Sequence, residues 1–209
     1  MRLAGLLAAW ILTAGMLPNA AFATGVFGSI EAGFHRIVPV DDLFATVLDG
    51  RKGSPVLGLG AGYEFQHGVF VAAQAGYLEF EPQKGFYALG MYRGEEPSRI
   101  RYVPLVVSLG LRSSIGKRVG ITVSAGGGVA QQRQESEVGP RRWNRTSWRP
   151  TWRLTVGGDH GAGAIRIGAR IAWLFLPQVA IQQMPEPVDF GGVSVAATLC
   201  FGRRPPSRP

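Results

Sequence analysis

The sequence predicts an all-β chain, an eight-stranded antiparallel up-and-down transmembrane β-barrel with short periplasmic turns and four longer external loops. Three observations lead there. An export signal precedes the folded part, eight later segments alternate with a period of two, and their connections alternate between short and long. Composition agrees. The 209 residues are 46% hydrophobic and 17% charged, too apolar for a disordered chain. The 30 glycines follow no G-X-Y period, which excludes a collagen-like rod. A single cysteine excludes a disulfide scaffold and a cysteine-based zinc site.

Residues 1–23 read as a signal peptide. Arg2 is followed by the apolar run 3–17, then Pro18-Asn19 and the small-x-small site Ala21-Phe22-Ala23. The run is about 15 residues, short of the roughly 20 that a spanning helix needs. Cleavage after Ala23 is expected, and no cysteine follows it to carry a lipid anchor. Residues 24–201 are assigned to the barrel and 202–209 to a basic, proline-rich periplasmic tail.

The segments follow in order. Val26, Gly28, Ile30, Ala32 and Phe34 alternate with Phe27, Ser29, Glu31, Gly33 and His35. Leu57, Leu59, Ala61, Tyr63 and Phe65 alternate with glycines and Glu64. Val69, Val71, Ala73, Ala75 and Tyr77 stand against Ala72, Gln74 and Gly76, although Phe70, Leu78 and Phe80 blur the two faces. The fourth segment sets Val103, Leu105, Val107, Leu109 and Leu111 against Pro104, Ser108, Gly110 and Arg112. Val119 to Val129, Trp152 to Val156, Ile165 to Trp173 and Val193 to Phe201 repeat the pattern. Such segments of about 10 to 12 residues can cross a bilayer at a tilt.

Three connections are tight: Gln66-His67-Gly68, residues 114–117, and Asp159-His160-Gly161. Four are long, at residues 36–54, 81–98, 132–147 and 174–189. The second face is small, with scattered charges, rather than rich in Lys and Glu, so it suits the narrow interior of an eight-stranded barrel and the apolar face suits lipid. Interior charges must then be partnered. Glu31 and Glu64 with Arg112, Arg153, Arg166 and Arg170 form the expected interior network. Phe27, Tyr63, Phe65 and Phe201 fall at the lower rim, with Phe27 on the inward register. Phe34, Tyr77, Tyr102, Trp148, Trp152 and Trp173 fall at the upper rim, as interfacial girdles would.

The signal peptide, the eight segments, the run from Tyr102-Val103-Pro104 to Leu111-Arg112 and a closing segment ending at Phe201 resemble the small outer-membrane β-barrel superfamily. That superfamily includes the transmembrane domain of outer-membrane protein A and the outer-membrane proteins X and W. The resemblance covers nearly the whole mature chain at the level of pattern. It implies residence in the bacterial outer membrane and insertion by the outer-membrane assembly machinery. The family usually ends on the terminal aromatic, whereas residues 202–209 follow it here.

Chemistry is sparse. His35 closes the first segment while His67 and His160 lie in turns at the other end, so they cannot share a metal, and solvated histidines are expected. His35 with Asp41 or Asp42 and an upper-rim serine could serve a lipid A-modifying enzyme, but no His-x-Ser spacing supports it. The glycine runs lack the Lys-Ser/Thr of a phosphate loop. Cys200 is expected to be an inert buried thiol, and the sequon at Asn144 to be chance. No cofactor or metal is implied.

Charge points outward instead. The third loop carries Arg133, Arg141, Arg142, Arg145 and Arg149 against Glu135 and Glu137, with Trp143 and Trp148 interleaved. Arg99 and Arg101 stand at the upper end of the fourth segment. Arg99, Arg101, Arg141, Arg142 and Arg145 are candidate contacts for the phosphates of lipopolysaccharide, since guanidinium forks suit phosphate. Nucleic acid is not an expected partner of an exported barrel, despite the net charge of +8. The expected role is non-enzymatic, structural or surface-interacting, with an unknown external ligand. A narrow channel for small or hydrophobic solutes is the first alternative and lipid A modification the second.

Overall fold

The computed structural model describes residues 25–38, 53–80, 99–115, 118–138, 141–161, 164–176 and 191–202. Eight strands run in chain order: β1 Gly25–Ile37, β2 Gly53–Glu64, β3 Val69–Phe80, β4 Arg99–Ile115, β5 Val119–Val138, β6 Arg141–His160, β7 Ile165–Phe175 and β8 Gly192–Gly202. Every neighbour pair is antiparallel, and β1 closes on β8 with Gly28 opposite Phe201 and Ile37 opposite Gly192. Closure leaves no free edge within the wall, so strands can face lipid without unpaired backbone. The expected signal peptide, the tail beyond Gly202 and most of the first, second and fourth long connections lie outside the described residues.

The two faces divide as the period of two requires. Leu57, Leu59, Val107, Leu109, Ile167, Ile171 and Val195 are outward and exposed, forming an apolar belt that water would not tolerate but lipid would. On β4 the belt runs from Val103 to Leu111. That is about 27 Å along the strand and about 21 Å along the membrane normal at a tilt near 40°, close to the apolar height of such barrels. Tyr63, Phe65 and Phe201 ring its lower edge, and Phe34, Tyr77, Trp148, Trp152, Trp173 and Phe175 its upper one.

Four readings of the sequence need correction or completion. Tyr102 is not in the upper girdle: it lies on the inward register of β4, only 1% exposed, beside Phe80. Phe70, Leu78 and Phe80, which blurred the third segment, all point into the barrel. Leu78 and Phe80 join Ile37, Ile100, Tyr102, Leu174 and Leu176 in an apolar plug at the upper end. Phe70 meets Phe27 edge to face at 5.8 Å and fills the lower end.

The third correction concerns residues 132–147, expected to be a loop. β5 and β6 continue through them as a two-stranded ribbon with Gln132 opposite Ser147 and Glu137 opposite Arg142. Outside lipid both faces of a ribbon are wetted, so no apolar period marks it, and polar residues such as Gln132 and Ser147 stand opposite each other instead. Ser147 Oγ donates to Gln132 Oε1 at 3.3 Å. Fourth, Asp159 and His160 belong to β6, which runs to His160, rather than to the connection that follows it.

Gln66-His67-Gly68 does form a tight turn, a single 3-10 turn in which Phe65 N–H donates to Val69 O at 2.7 Å. His67 takes a left-handed conformation, φ 65°, a position more comfortable for glycine or asparagine.

Candidate functional site

Inside the barrel the charged side chains collect in two groups. Glu31 on β1 is 5% exposed and accepts from Arg153 Nη2 at 2.7 Å and from Arg170 Nη1. Since Arg153 is on β6 and Arg170 on β7, these bonds reach through the lumen past β8 and tie β1 to strands it does not pair with. Nearer the lower end, Arg112 on β4 stands 3.6 Å from Glu64 on β2 and bonds Asp159 on β6. Arg166 on β7 lies 3.8 Å from the same Asp159. The six residues named from sequence are thus divided between two clusters. Asp159 was missed, because placing it in a turn hid its inward register; it is 7% exposed.

These clusters interrupt the lumen. Among the described residues they border two lumen cavities of about 30 Å³, each with room for a water or two. The upper one is lined by Glu31, Arg153, Arg170 and Ser194, the lower by Glu64, Arg112, Asp159 and Arg166. Gln74 and Arg170 line both, and among the described residues the apolar plug stands above them and the Phe27–Phe70 pair below, so side chains occupy much of the lumen. Cys200 is buried and accepts from Arg170 Nη2 at 3.5 Å.

His35 overturns the expectation of a solvated histidine. It is 0% exposed, with Nδ1 2.8 Å from Ser194 Oγ and its ring edge-to-face with Phe80. Register explains the pairing: His35 is opposite Ser194 on β8 and opposite Ser54 on β2, all inward. Ser54 Oγ donates to Glu79 O at 2.6 Å and accepts Glu79 N–H at 3.0 Å, which occupies it structurally. A serine and a base at bonding distance are the first elements of acyl-transfer chemistry, but this pair is shut beneath the apolar plug. Asp41 and Asp42 lie outside the described residues. Among the described residues no group of three or more His, Cys, Asp or Glu comes together as a metal site.

The outer face of the upper rim carries the second concentration of charge. Arg99 and Arg101 on β4, Arg133 and Glu135 on β5 and Glu79 on β3 share the lipid-facing register, one step above Tyr77 and Val103. Glu79 bonds Arg99 at 2.9 Å, Arg101 at 3.3 Å and the Tyr77 hydroxyl. Glu135 bonds Arg133 at 2.9 Å and Arg101 at 3.4 Å. Among the described residues, three guanidiniums therefore meet two carboxylates immediately above the apolar belt. Arg145 lies on the opposite face of the ribbon, paired in register with Gln134, so it does not join this cluster. Arg141 and Arg142 stand at the ribbon tip, opposite Val138 and Glu137.

No protein-family model matches the chain, and no curated protein does. Solved structures match in fold. Neisserial surface protein A aligns over 86% of this chain and 98% of its own at 10% identity, with a TM-score of 0.56. Ail, the attachment invasion locus protein of Yersinia pestis, was solved in complex with the heparin analogue sucrose octasulfate. It aligns over 86% of this chain and all of its own at 14% identity, with a TM-score of 0.50. The chain shares the fold of small eight-stranded outer-membrane β-barrels.

Proposed function

We propose that this protein is a non-enzymatic barrel of the bacterial outer membrane, exported through a cleaved signal peptide, whose rim and external ribbon contact lipopolysaccharide. The observation that carries the reading is the Arg99, Arg101 and Arg133 cluster, facing outward on top of the apolar belt. A guanidinium at that height meets lipid phosphates, and its planar fork matches them. Arg141, Arg142 and Arg145 follow on β6 in the ribbon, where an external ligand would meet it. Sulfated-sugar binding by Ail is similar in kind.

A structural and surface role also accords with the interior. Ion pairs and plugs that fill a lumen stabilise a wall, whereas a channel requires a continuous path. Lipid A modification would require the His35–Ser194 pair to open toward substrate. The test is binding of purified, folded protein to lipopolysaccharide-containing vesicles against phosphatidylcholine vesicles. Binding that weakens when Arg99, Arg101, Arg141, Arg142 and Arg145 are together changed to Gln is the expected result. Unchanged binding, or a change in lipid A mass on overexpression, would refute the proposal.

A further inference from the structure

We infer that the barrel holds one phosphorylated acyl lipid at a defined place, with its phosphate on Arg101 and Arg133 and one acyl chain in the groove below them. The inference rests on the lipopolysaccharide reading and locates it. An outward groove of about 580 Å³ runs over β2 to β5, walled by Leu59, Ala61, Ala73, Ala75, Leu105 and Val129. It lies in the lipid-facing belt, so a hydrocarbon chain is the chemistry that fills it.

Three strands carry this groove directly up to the charges. On β3 Ala75 leads to Tyr77 and Glu79; on β4 Leu105 leads to Val103 and Arg101; on β5 Val129 leads to Gln131 and Arg133. Each charged residue is four positions from its groove residue, roughly 13 Å along the strand. An acyl chain in the groove and its own headgroup phosphate at the arginines are therefore compatible with one molecule.

The ion pairs prepare the cluster without exhausting it. Arg101 spends Nε on Glu79 and Nη1 on Glu135, and Arg133 spends Nε on Glu135. Each guanidinium has five N–H donors, more than these carboxylate contacts consume. Glu79, fixed in turn by Tyr77, orients Arg101. A phosphate would bind as a third anion on the N–H donors of Arg101 and Arg133 that Glu79 and Glu135 leave over.

The test is native mass spectrometry of the folded full-length protein in zwitterionic detergent, titrated with bisphosphorylated lipid A. Wild type should retain one lipid A, and the R101Q/R133Q protein should bind about tenfold more weakly, as loss of charge-assisted hydrogen bonds implies. Ala75→Leu, which narrows the groove and leaves the arginines, should weaken lipid A but not inorganic phosphate. Dephosphorylated lipid A should bind wild type no better than lipid A binds R101Q/R133Q. A heat-dependent gel shift confirms that each variant is folded.

Equal retention by wild type and R101Q/R133Q overturns the site. Displacement of lipid A by inorganic phosphate alone overturns the groove's part in it. If Arg145→Gln loses lipid A while R101Q/R133Q does not, the lipopolysaccharide reading stands on the ribbon and this site fails. Absence of any lipid A binding defeats both.

Discussion

Replacing Glu31 by Gln keeps the volume of the side chain and removes the one anion that two guanidiniums share. Glu31, Arg153 and Arg170 are all largely buried, with side-chain exposures of 6%, 15% and 12%. Each guanidinium–carboxylate hydrogen bond is worth about 1.5–3 kcal/mol, and stranding a buried charge costs about 3–5 kcal/mol. The cavity beside Glu31 admits water that can hydrate the freed arginines, so the expected loss is at the low end, about 3 kcal/mol. Urea unfolding in phosphatidylcholine vesicles measures it, followed by tryptophan fluorescence and by the gel shift of the folded barrel. Adding Arg170→Met to Glu31→Gln removes one stranded cation and should recover about 1 kcal/mol, because the two sites are coupled. A loss below about 0.5 kcal/mol for Glu31→Gln would refute the reasoning, since surface changes alone do as much.

Other changes read other parts of the wall. Val107, 59% exposed at mid-belt, should cost about 2–4 kcal/mol when changed to Arg in vesicles; no loss would mean that this face does not meet lipid. Gly128→Ala should destabilise by about 1–3 kcal/mol in urea unfolding, because the new Cβ would stand 1.9 Å from Leu105 O. Gly28→Ala, where the nearest atom is 3.8 Å away, should stay within about 0.5 kcal/mol by the same measurement. Ser194→Ala removes the partner of His35 Nδ1 from a buried site and should cost about 1–3 kcal/mol by urea unfolding, with Ser194→Thr recovering part of it.

The wall of the barrel was legible because a strand facing lipid on one side and a narrow lumen on the other must alternate. Val103 to Leu111 shows it with Val106 as the one apolar residue turned inward besides Pro104, and outward and inward residues follow. The same rule weakens where the lumen must be stoppered. Phe70, Leu78 and Phe80 are bulky on the inner face because they close the ends, and that broke the period of β3. Beyond the lipid the period vanishes, so the β5–β6 ribbon was taken for a loop despite its alternating charges. Partners across the lumen were legible only as a set. Alternation puts Glu31, Arg153 and Arg170 inside but is silent on stagger, which decides that Glu31 meets the latter two and that Arg112 meets Asp159. His35 shows the same limit: its inward register was visible, whereas its bond to Ser194 depends on how β8 closes against β1. For the rim, Arg99 and Arg101 were legible as outward cations, and the organising role of Glu79 was not.

The central claim is a barrel that crosses the outer membrane with its ribbon outside and its tight turns within. In a Cys200→Ala background, Arg145→Cys on the ribbon and His67→Cys in the turn are labelled on intact cells with a membrane-impermeant maleimide. Arg145→Cys should react at once and His67→Cys only after the outer membrane is opened, with both proteins showing a heat-dependent gel shift. Labelling of His67→Cys on intact cells, or recovery of both proteins from the soluble periplasm without a gel shift, would contradict the account.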